Sequence, residues 1–319
     1  MQTHQPLNLF ITGAASALGR EVTRQLVARG HRVTGLTDGS DNAAKVRQDG
    51  AVPAFATDPS RAGEMKSLLH AAQADVALHL SPQLANGFPR PDLPWETASQ
   101  AITDGTPALL QAAQEAGTKF LVTTSFTFVY GDHHGEWVDE ESLRQPAALF
   151  RPAALVEDQV LSSPVPSCVL RAGMLYGADE DGTVELIKTL RRGRPVYTGD
   201  CNAVISWVQV TDLASALVLA AEQMPNQQVL NVVDDMPAAP TDFVHELAQN
   251  LGVSVPGRPP AFLGRNLTHE VSENLFNTAI RARNEKVKQV LGWTPRYPNY
   301  RAGLDHALLV SRAKEPVQG

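Results

Sequence analysis

Leu7-Asn8-Leu9-Phe10-Ile11-Thr12-Gly13-Ala14-Ala15-Ser16-Ala17-Leu18-Gly19 is a short apolar run followed at once by a loop of glycine and small residues. The run reads as a strand. Beyond it Val22, Leu26 and Val27 recur at helical spacing, and Gly30 marks a helix stop. His31 to Thr37 reads as a second strand ending at Asp38. Strand, loop, helix and strand therefore fill Leu7 to Asp38, about the 30 residues of a βαβ unit. In that setting Gly13 lets the chain turn sharply out of the strand. Gly19 lets the helix pack closely on the sheet. The helix start between them suits a pyrophosphate, because its first amides have no carbonyl partners within the helix.

The alternation continues down the chain. Residues 51–55, 75–80, 120–125 and 167–171 read as further strands, and 95–116 and 152–161 as helices. From about Gly173 the pattern loosens. A helix at 184–192, a short strand at 195–198, a strand at 205–210 leading into a helix at 212–222, and a strand at 229–233 are expected. Thr241 is expected to cap a helix running to Asn250, and Asp212 reads as a helix cap. Segments 285–291 and 301–312 close the chain. Strands alternating with helices predict an α/β fold: a Rossmann-type doubly wound parallel sheet with a smaller mixed C-terminal substrate domain. Residues 1–172 form the expected dinucleotide-binding domain. Residues 173–319 form the mainly substrate-binding region, with 205–222 returning to the first. A pocket is expected at the carboxyl edge of the sheet, between the two.

Composition limits the function. Of 319 residues 43% are hydrophobic and 19% charged, which excludes long disorder. The net charge of −7 comes without basic blocks, so nucleic acid is not an expected partner. No apolar run approaches the roughly 20 residues that span a bilayer, so no membrane partner is expected. The first residues lack the order of a signal peptide. Cys168 and Cys201 are too few for a disulfide framework or a Cys-rich zinc site, and a cytoplasmic location is the simple reading.

Thr12-Gly13-Ala14-Ala15-Ser16-Ala17-Leu18-Gly19 resembles the TGxxGxxG fingerprint of the extended short-chain dehydrogenases/reductases, the NAD-dependent epimerase/dehydratase family. Other landmarks fall in the same order. Val76-Ala77-Leu78-His79-Leu80 is similar to the family's VxHLA strand, and Val129-Tyr130-Gly131 to its VYG. Leu170 to Gly177 is similar to LRxxxxYG. Ser206 to Asp212 is similar to WVHVxD, with Gln209 where His is usual. Leu291-Gly292-Trp293-Thr294-Pro295 is similar to its closing LGWxP. The resemblance implies NAD or NADP on Gly13, Ser16, Ala17, Leu18, Gly19, Asp38, Asp58, Leu80 and Ser81. Ser16 replaces the middle glycine, and its hydroxyl could donate to a phosphate. Asp38 ends the second strand, where a carboxylate accepts from a ribose hydroxyl and repels a 2′-phosphate, so NAD is favoured. The family's usual Asp aligns with Thr37, and Arg20 and Arg61 offer positive charge instead. A homodimer through the helices 95–116 and 152–161 is also implied.

The resemblance fails at the chemistry. The family polarises substrate with a Ser or Thr four residues before the VYG tyrosine, and moves a proton with the Tyr of YxxxK. A phenol near pKa 10 needs the adjacent cation to act near neutrality. Here Phe126, Phe150 and Ala154 align with the Ser/Thr, the Tyr and the Lys. Substitutes are sought among Ser125, Thr127, Tyr130, His133 and Tyr176. Substrate contacts are expected from Phe126, Phe150, Arg171, Tyr176 and Trp207. Asp132, His133 and His134 do not suggest a metal, since adjacent histidines do not easily share one tetrahedral ion. Three functions stay open: an NAD(P)-dependent oxidoreductase on a small apolar or aromatic carbonyl or hydroxyl compound, a non-redox lyase, dehydratase, isomerase or cyclase, and a non-catalytic dinucleotide sensor.

Overall fold

The computed structural model describes residues 5–80, 95–196, 202–257 and 277–314. In chain order the elements are β1 (Asn8–Thr12), α1 (Ala17–Ala28), β2 (Arg32–Leu36), α2 (Gly39–Gln48), β3 (Val52–Ala54), α3 (Ala62–Ala71), β4 (Val76–His79), α4 (Trp95–Ala116) and β5 (Phe120–Phe126). They continue with β6 (Trp137–Val138), α5 (Arg151–Leu161), β7 (Ser167–Ala172), β8 (Met174–Tyr176), α6 (Asp181–Arg191), β9 (Trp207–Gln209) and α7 (Val210–Gln223). Last come β10 (Gln228–Val232), α8 (Pro240–Leu251), β11 (Arg281–Ala282), α9 (Glu285–Leu291) and α10 (Tyr300–Lys314).

Seven strands form one parallel sheet in the order β10-β7-β5-β4-β1-β2-β3. The strand order reverses between β1 and β4, and ligands of open α/β sheets bind above such a point. Residues of β4, β5 and β7 are buried throughout, as expected of strands covered on both faces. In β1 the two-residue period divides the core. Leu9 and Ile11 join Val22 and Leu26 of α1 and Leu213 and Leu217 of α7 on one face. Phe10 joins Leu109 and Ala113 of α4 and Val156 and Val160 of α5 on the other.

The C-terminal region is smaller and mixed. Its pair β8–β9, and the pair that its β11 makes with β6 of the first part, are short parallel ladders. Trp207 stacks on Phe243 with centroids 4.4 Å apart, and Tyr176 meets the edge of both rings.

Several local expectations change. Thr241 is not a cap: α8 starts at Pro240 with Ala239 as N-cap, and Pro at the first helical position needs no amide partner. Asp212 is not a cap either. Gln209 caps α7 by accepting from the Thr211 amide, and the Asp212 carboxylate accepts from the amides of Arg296 and Tyr297. Residues 195 and 196 carry no strand, and 197–198 lie outside the described residues. Among the described residues no helix is long and apolar enough to cross a membrane.

Candidate active site

Gly13 leaves β1 with φ +71°, a conformation that L side chains rarely adopt. Its carbonyl then accepts from both the amide (3.1 Å) and the hydroxyl (2.8 Å) of Ser16. The same Ser16 oxygen accepts from the Gly19 amide at 3.1 Å, so Ser16 is the N-cap of α1. This explains why a side chain is tolerated in place of the middle glycine: φ here is −68°, ordinary extended backbone. A Cβ on Gly19 would lie 2.2 Å from the Gly13 carbonyl oxygen, so helix and loop touch backbone to backbone. No acidic side chain occupies the first turn of α1, leaving its positive end to an anion near Ala17 and Leu18.

Around this loop the structure holds the charges in place. Arg20 is bidentate on Asp49 at 2.6 and 3.1 Å, and Arg24 reaches the same carboxylate. Arg61 pairs with Asp58 at 3.3 Å. The Asp58 carboxylate accepts from the hydroxyl and amide of Ser60, which hold it below the usual carboxylate range. Asp38 is exposed at the start of α2 and accepts from the Asn42 side chain at 2.7 Å. Thr37, beside it, is buried, and its hydroxyl has no hydrogen-bond partner. A ribose hydroxyl would satisfy that orphaned group. Close-packed glycines, a positive helix end with no acidic side chain in its first turn and an orphaned hydroxyl past β2 thus fit a dinucleotide.

At the end of β4, His79 is buried between two threonines. Its Nδ1 lies 2.8 Å from the Thr12 hydroxyl and its Nε2 3.1 Å from that of Thr106. Burial lowers its pKa to about 4, so the ring is neutral. Leu80 packs into the core, and Ser81 lies outside the described residues.

At the end of β5 three rings meet. Phe126 contacts Phe150 edge-on at 5.3 Å, and Phe128 lies 6.0 and 5.4 Å from the two. Phe150 sits immediately before α5, and Ala154 follows one turn later, half-buried. Ser125 and Thr127 are buried, and the Ser125 hydroxyl has no partner.

The remaining candidates do not converge on this corner. Tyr130 donates to Asn231 Oδ1 at 2.8 Å and accepts from Arg171 at 2.9 Å. Burial pushes its pKa up to about 12 despite the cation. Arg171 is therefore not free for a substrate anion: its guanidinium is bound to Glu157 at 2.7 to 3.2 Å and lies over the Tyr130 ring. His133 pins its loop through the Leu143 carbonyl at 3.1 Å. Tyr176 and Trp207 belong to the buried aromatic cluster with Phe243. Among the described residues no group of His, Cys, Asp and Glu could hold a metal.

Sequence reasoning left Arg171's partner unspecified and missed Arg144, which bonds Glu157 and Asp158. A signal was present. Ala153, Val156, Glu157 and Val160 form the buried stripe of α5, and an acid in an apolar stripe demands a buried cation.

The sheet order, the glycine loop and the helix start define a Rossmann-type dinucleotide-binding protein. The family model of the NAD dependent epimerase/dehydratase family matches residues 9–232, and the chain belongs to that family. A 3-diazoavenalumate denitrifying reductase from a Streptomyces species is 30% identical over 93% of this chain and 99% of its own. The 4-hydroxy-2-methyl-3-oxo-4-farnesyl-3,4-dihydroquinoline-1-oxide ketoreductase of Stigmatella aurantiaca is 26% identical over 94% of this chain and 95% of its own. A functionally unknown conserved protein from Silicibacter pomeroyi superposes with TM-score 0.74 at 27% identity, covering 96% of this chain and 99% of its own. UDP-glucose 4-epimerase of Thermotoga maritima shares the fold at TM-score 0.77 and 18% identity, covering 96% of this chain and 99% of its own.

Proposed function

We propose that this chain is a reductase that uses NADH in preference to NADPH, acts on a small aromatic or otherwise apolar compound, and lacks the Ser/Thr, Tyr and Lys usual in its family. The observation that carries the reading is the Phe126–Phe150 contact, 5.3 Å between centroids, at the junction of β5 and α5. Both rings are buried where the family's Ser/Thr and Tyr would stand, so they offer a polar sugar nucleotide no hydrogen bond. An apolar or aromatic compound asks for fewer such bonds. The two relatives named first above are reductases by name, of a diazo acid and of a quinoline oxide, and this supports reduction over epimerisation. The bound dinucleotide supplies hydride. The chain's own part is to hold the pyrophosphate at α1 and a ribose at Thr37 and Asp38, and to keep water from the acceptor. The preference for NADH rests on charge: Asp38 follows β2, where a carboxylate would repel a 2′-phosphate, while Arg20 and Arg61 are paired with carboxylates. Residues 1–172 are the cofactor-binding part of this reading and 173–319 mainly the substrate-binding part.

Titration with NADH and NADPH, followed by nicotinamide fluorescence, tests it. NADH is expected to bind about tenfold or more tightly than NADPH, a difference of about 1.4 kcal/mol. Folded protein that binds neither overturns the reading.

A further inference from the structure

We infer that Asp234 keeps its proton inside the folded protein and works as a pH-operated latch: neutral, it lets the turn after β10 seat against β8, α7 and the start of α10, and on losing its proton it loosens that seat. The cofactor chemistry above leaves this carboxyl group unused. Asp234 follows β10 by two residues and is 2% exposed. Its Oδ1 accepts from the Met236 amide at 3.0 Å, and its Oδ2 is buried with no hydrogen-bond partner. Among the described residues no cationic side chain pairs with it. Lys288, which serves the same turn, is bound to Asp235 at 2.6 Å. An ionised carboxylate so placed is strongly disfavoured, because neither water nor a counter-charge replaces its hydration.

The groups around it offer no compensation. On its own turn Asp235 is ionised, since the bonds from Lys288 and Asn284 outweigh burial and hold it below the usual carboxylate range. On α7, the buried Asp212 carboxylate already accepts from the amides of Arg296 and Tyr297. On β8, the Tyr176 hydroxyl is buried without a partner, and burial with Asp234 and Asp212 beside it keeps that phenol neutral. On β9, the Trp207 carbonyl accepts from the Asp234 amide at 2.7 Å, and the indole is given to the Ala238 carbonyl. Ahead of α9, the Asn284 side chain donates to the carbonyls of Val233 and Asp234. Ahead of α10, the Arg296 guanidinium lies over the Tyr297 ring, and the Tyr297 hydroxyl is buried without a partner. Burial first, then repulsion from Asp235 and Asp212, pushes the Asp234 carboxyl well above the usual carboxylate range.

The same contacts carry its state to α10. The Asp235 amide donates to the Pro298 carbonyl at 3.0 Å, and a Cβ on Gly303 of α10 would lie 1.9 Å from the Tyr176 hydroxyl. The unfolded residue titrates near 3.9. Below that value both states hold the proton, and this group costs the fold nothing. As pH rises, the unfolded chain releases a proton that the folded chain keeps, so stability falls until the folded group ionises in turn. The charge then stands beside Asp212, whose carboxylate holds the segment leading into α10.

The test compares the full chain with Asp234→Asn, which keeps the shape and the acceptor for the Met236 amide but has no proton to lose. In infrared difference spectra at neutral pH, the wild type is expected to show a protonated-carboxyl band that the variant lacks. In urea unfolding, the folding constant of the variant is expected to gain at least about tenfold on the wild type between about pH 4 and about pH 8. Hydrogen exchange reads the latch itself. Corrected for its intrinsic pH dependence, exchange of the α10 amides should quicken with pH at least about tenfold more in the wild type than in the variant, while the α5 amides behave alike in both. A missing carboxyl band or parallel unfolding curves overturn the inference by showing Asp234 ionised in place through a buried water. Alpha-helix α10 exchanging alike in the two proteins overturns it by showing that the proton is held without governing that helix. Should Asp234→Asn not fold, the pH dependence of exchange in α10 against α5 of the wild type decides.

Discussion

The guanidinium of Arg171 and the carboxylate of Glu157 meet inside the protein, Nη2 to Oε2 at 2.7 Å, with side-chain exposures of 4% and 0%. The pair ties β7 to α5, and Arg171 donates to the Tyr130 hydroxyl at 2.9 Å. Burial works to lower the Arg171 pKa, but the bonds to Glu157 outweigh it and the net shift is upward. Removing one partner strands a charge where water cannot reach. Arg171→Met and Glu157→Gln are each expected to cost about 3–5 kcal/mol in urea unfolding. The double variant Arg171→Met, Glu157→Met should recover much of the loss, because it leaves no unpaired buried charge: Arg144, the other partner of Glu157, is part-exposed and keeps Asp158. Additive losses in the double variant would show that the two side chains are not coupled.

The backbone contact at Gly19 predicts a loss at the cofactor loop. A methyl group 2.2 Å from the Gly13 carbonyl must push α1 off the loop. Gly19→Ala is expected to destabilise by about 1–3 kcal/mol and to weaken NADH binding. Gly105, inside α4, has nothing within 4 Å of its would-be Cβ. Gly105→Ala should stabilise by about 0.5–1 kcal/mol and leave binding unchanged. Fluorescence titration of both variants separates the loop from general helix effects. Unaltered affinity in Gly19→Ala would move the nucleotide elsewhere.

Ser16 acts as a helix cap, and cap chemistry orders its variants. Ser16→Ala leaves the Gly19 amide without its acceptor and is expected to cost about 1 kcal/mol. Ser16→Gly should cost only a few tenths, since glycine is itself a fair N-cap. Thermal unfolding of the two variants gives the order. A reversal would mean that the hydroxyl does not cap α1 in solution.

What the sequence made legible follows physical signal strength. The loop from Thr12 to Gly19 and the strands 75–80, 120–125 and 167–171 combine apolar runs with turn residues, and each forms as a strand or loop close to its expected bounds. Helix α2 was not legible. It opens with Gly39-Ser40-Asp41-Asn42, a turn-like composition, and buries only Ala43 and Val46. Asp212 was misread because a carboxylate near a helix start looks like a cap, whereas its partners are the amides of Arg296 and Tyr297, more than 80 residues away. The same limit applies at the site. Sequence could place Phe126 and Phe150 near one strand end, but it could not tell that Arg171 and Tyr130 are consumed by Glu157 and Asn231.

His79 predicts how stability depends on pH. Buried between Thr12 and Thr106, it is neutral in the folded protein down to about pH 4, while the unfolded residue takes up a proton near 6.5. Above the unfolded value both states are neutral, and the folded protein keeps its full stability. As pH falls between the two values, the unfolded chain binds a proton that the folded chain refuses, so stability is lost. The loss from this group alone amounts to about 3 kcal/mol by the lower value. Carboxylates titrate in part of the same range, so the contribution is isolated by difference. His79→Asn lacks the titration, and its unfolding free energy should fall less steeply than that of the wild type between those pH values. Parallel curves for the two proteins would show that His79 takes up its proton while folded, and that the Thr12–His79–Thr106 link below the cofactor loop opens to admit it.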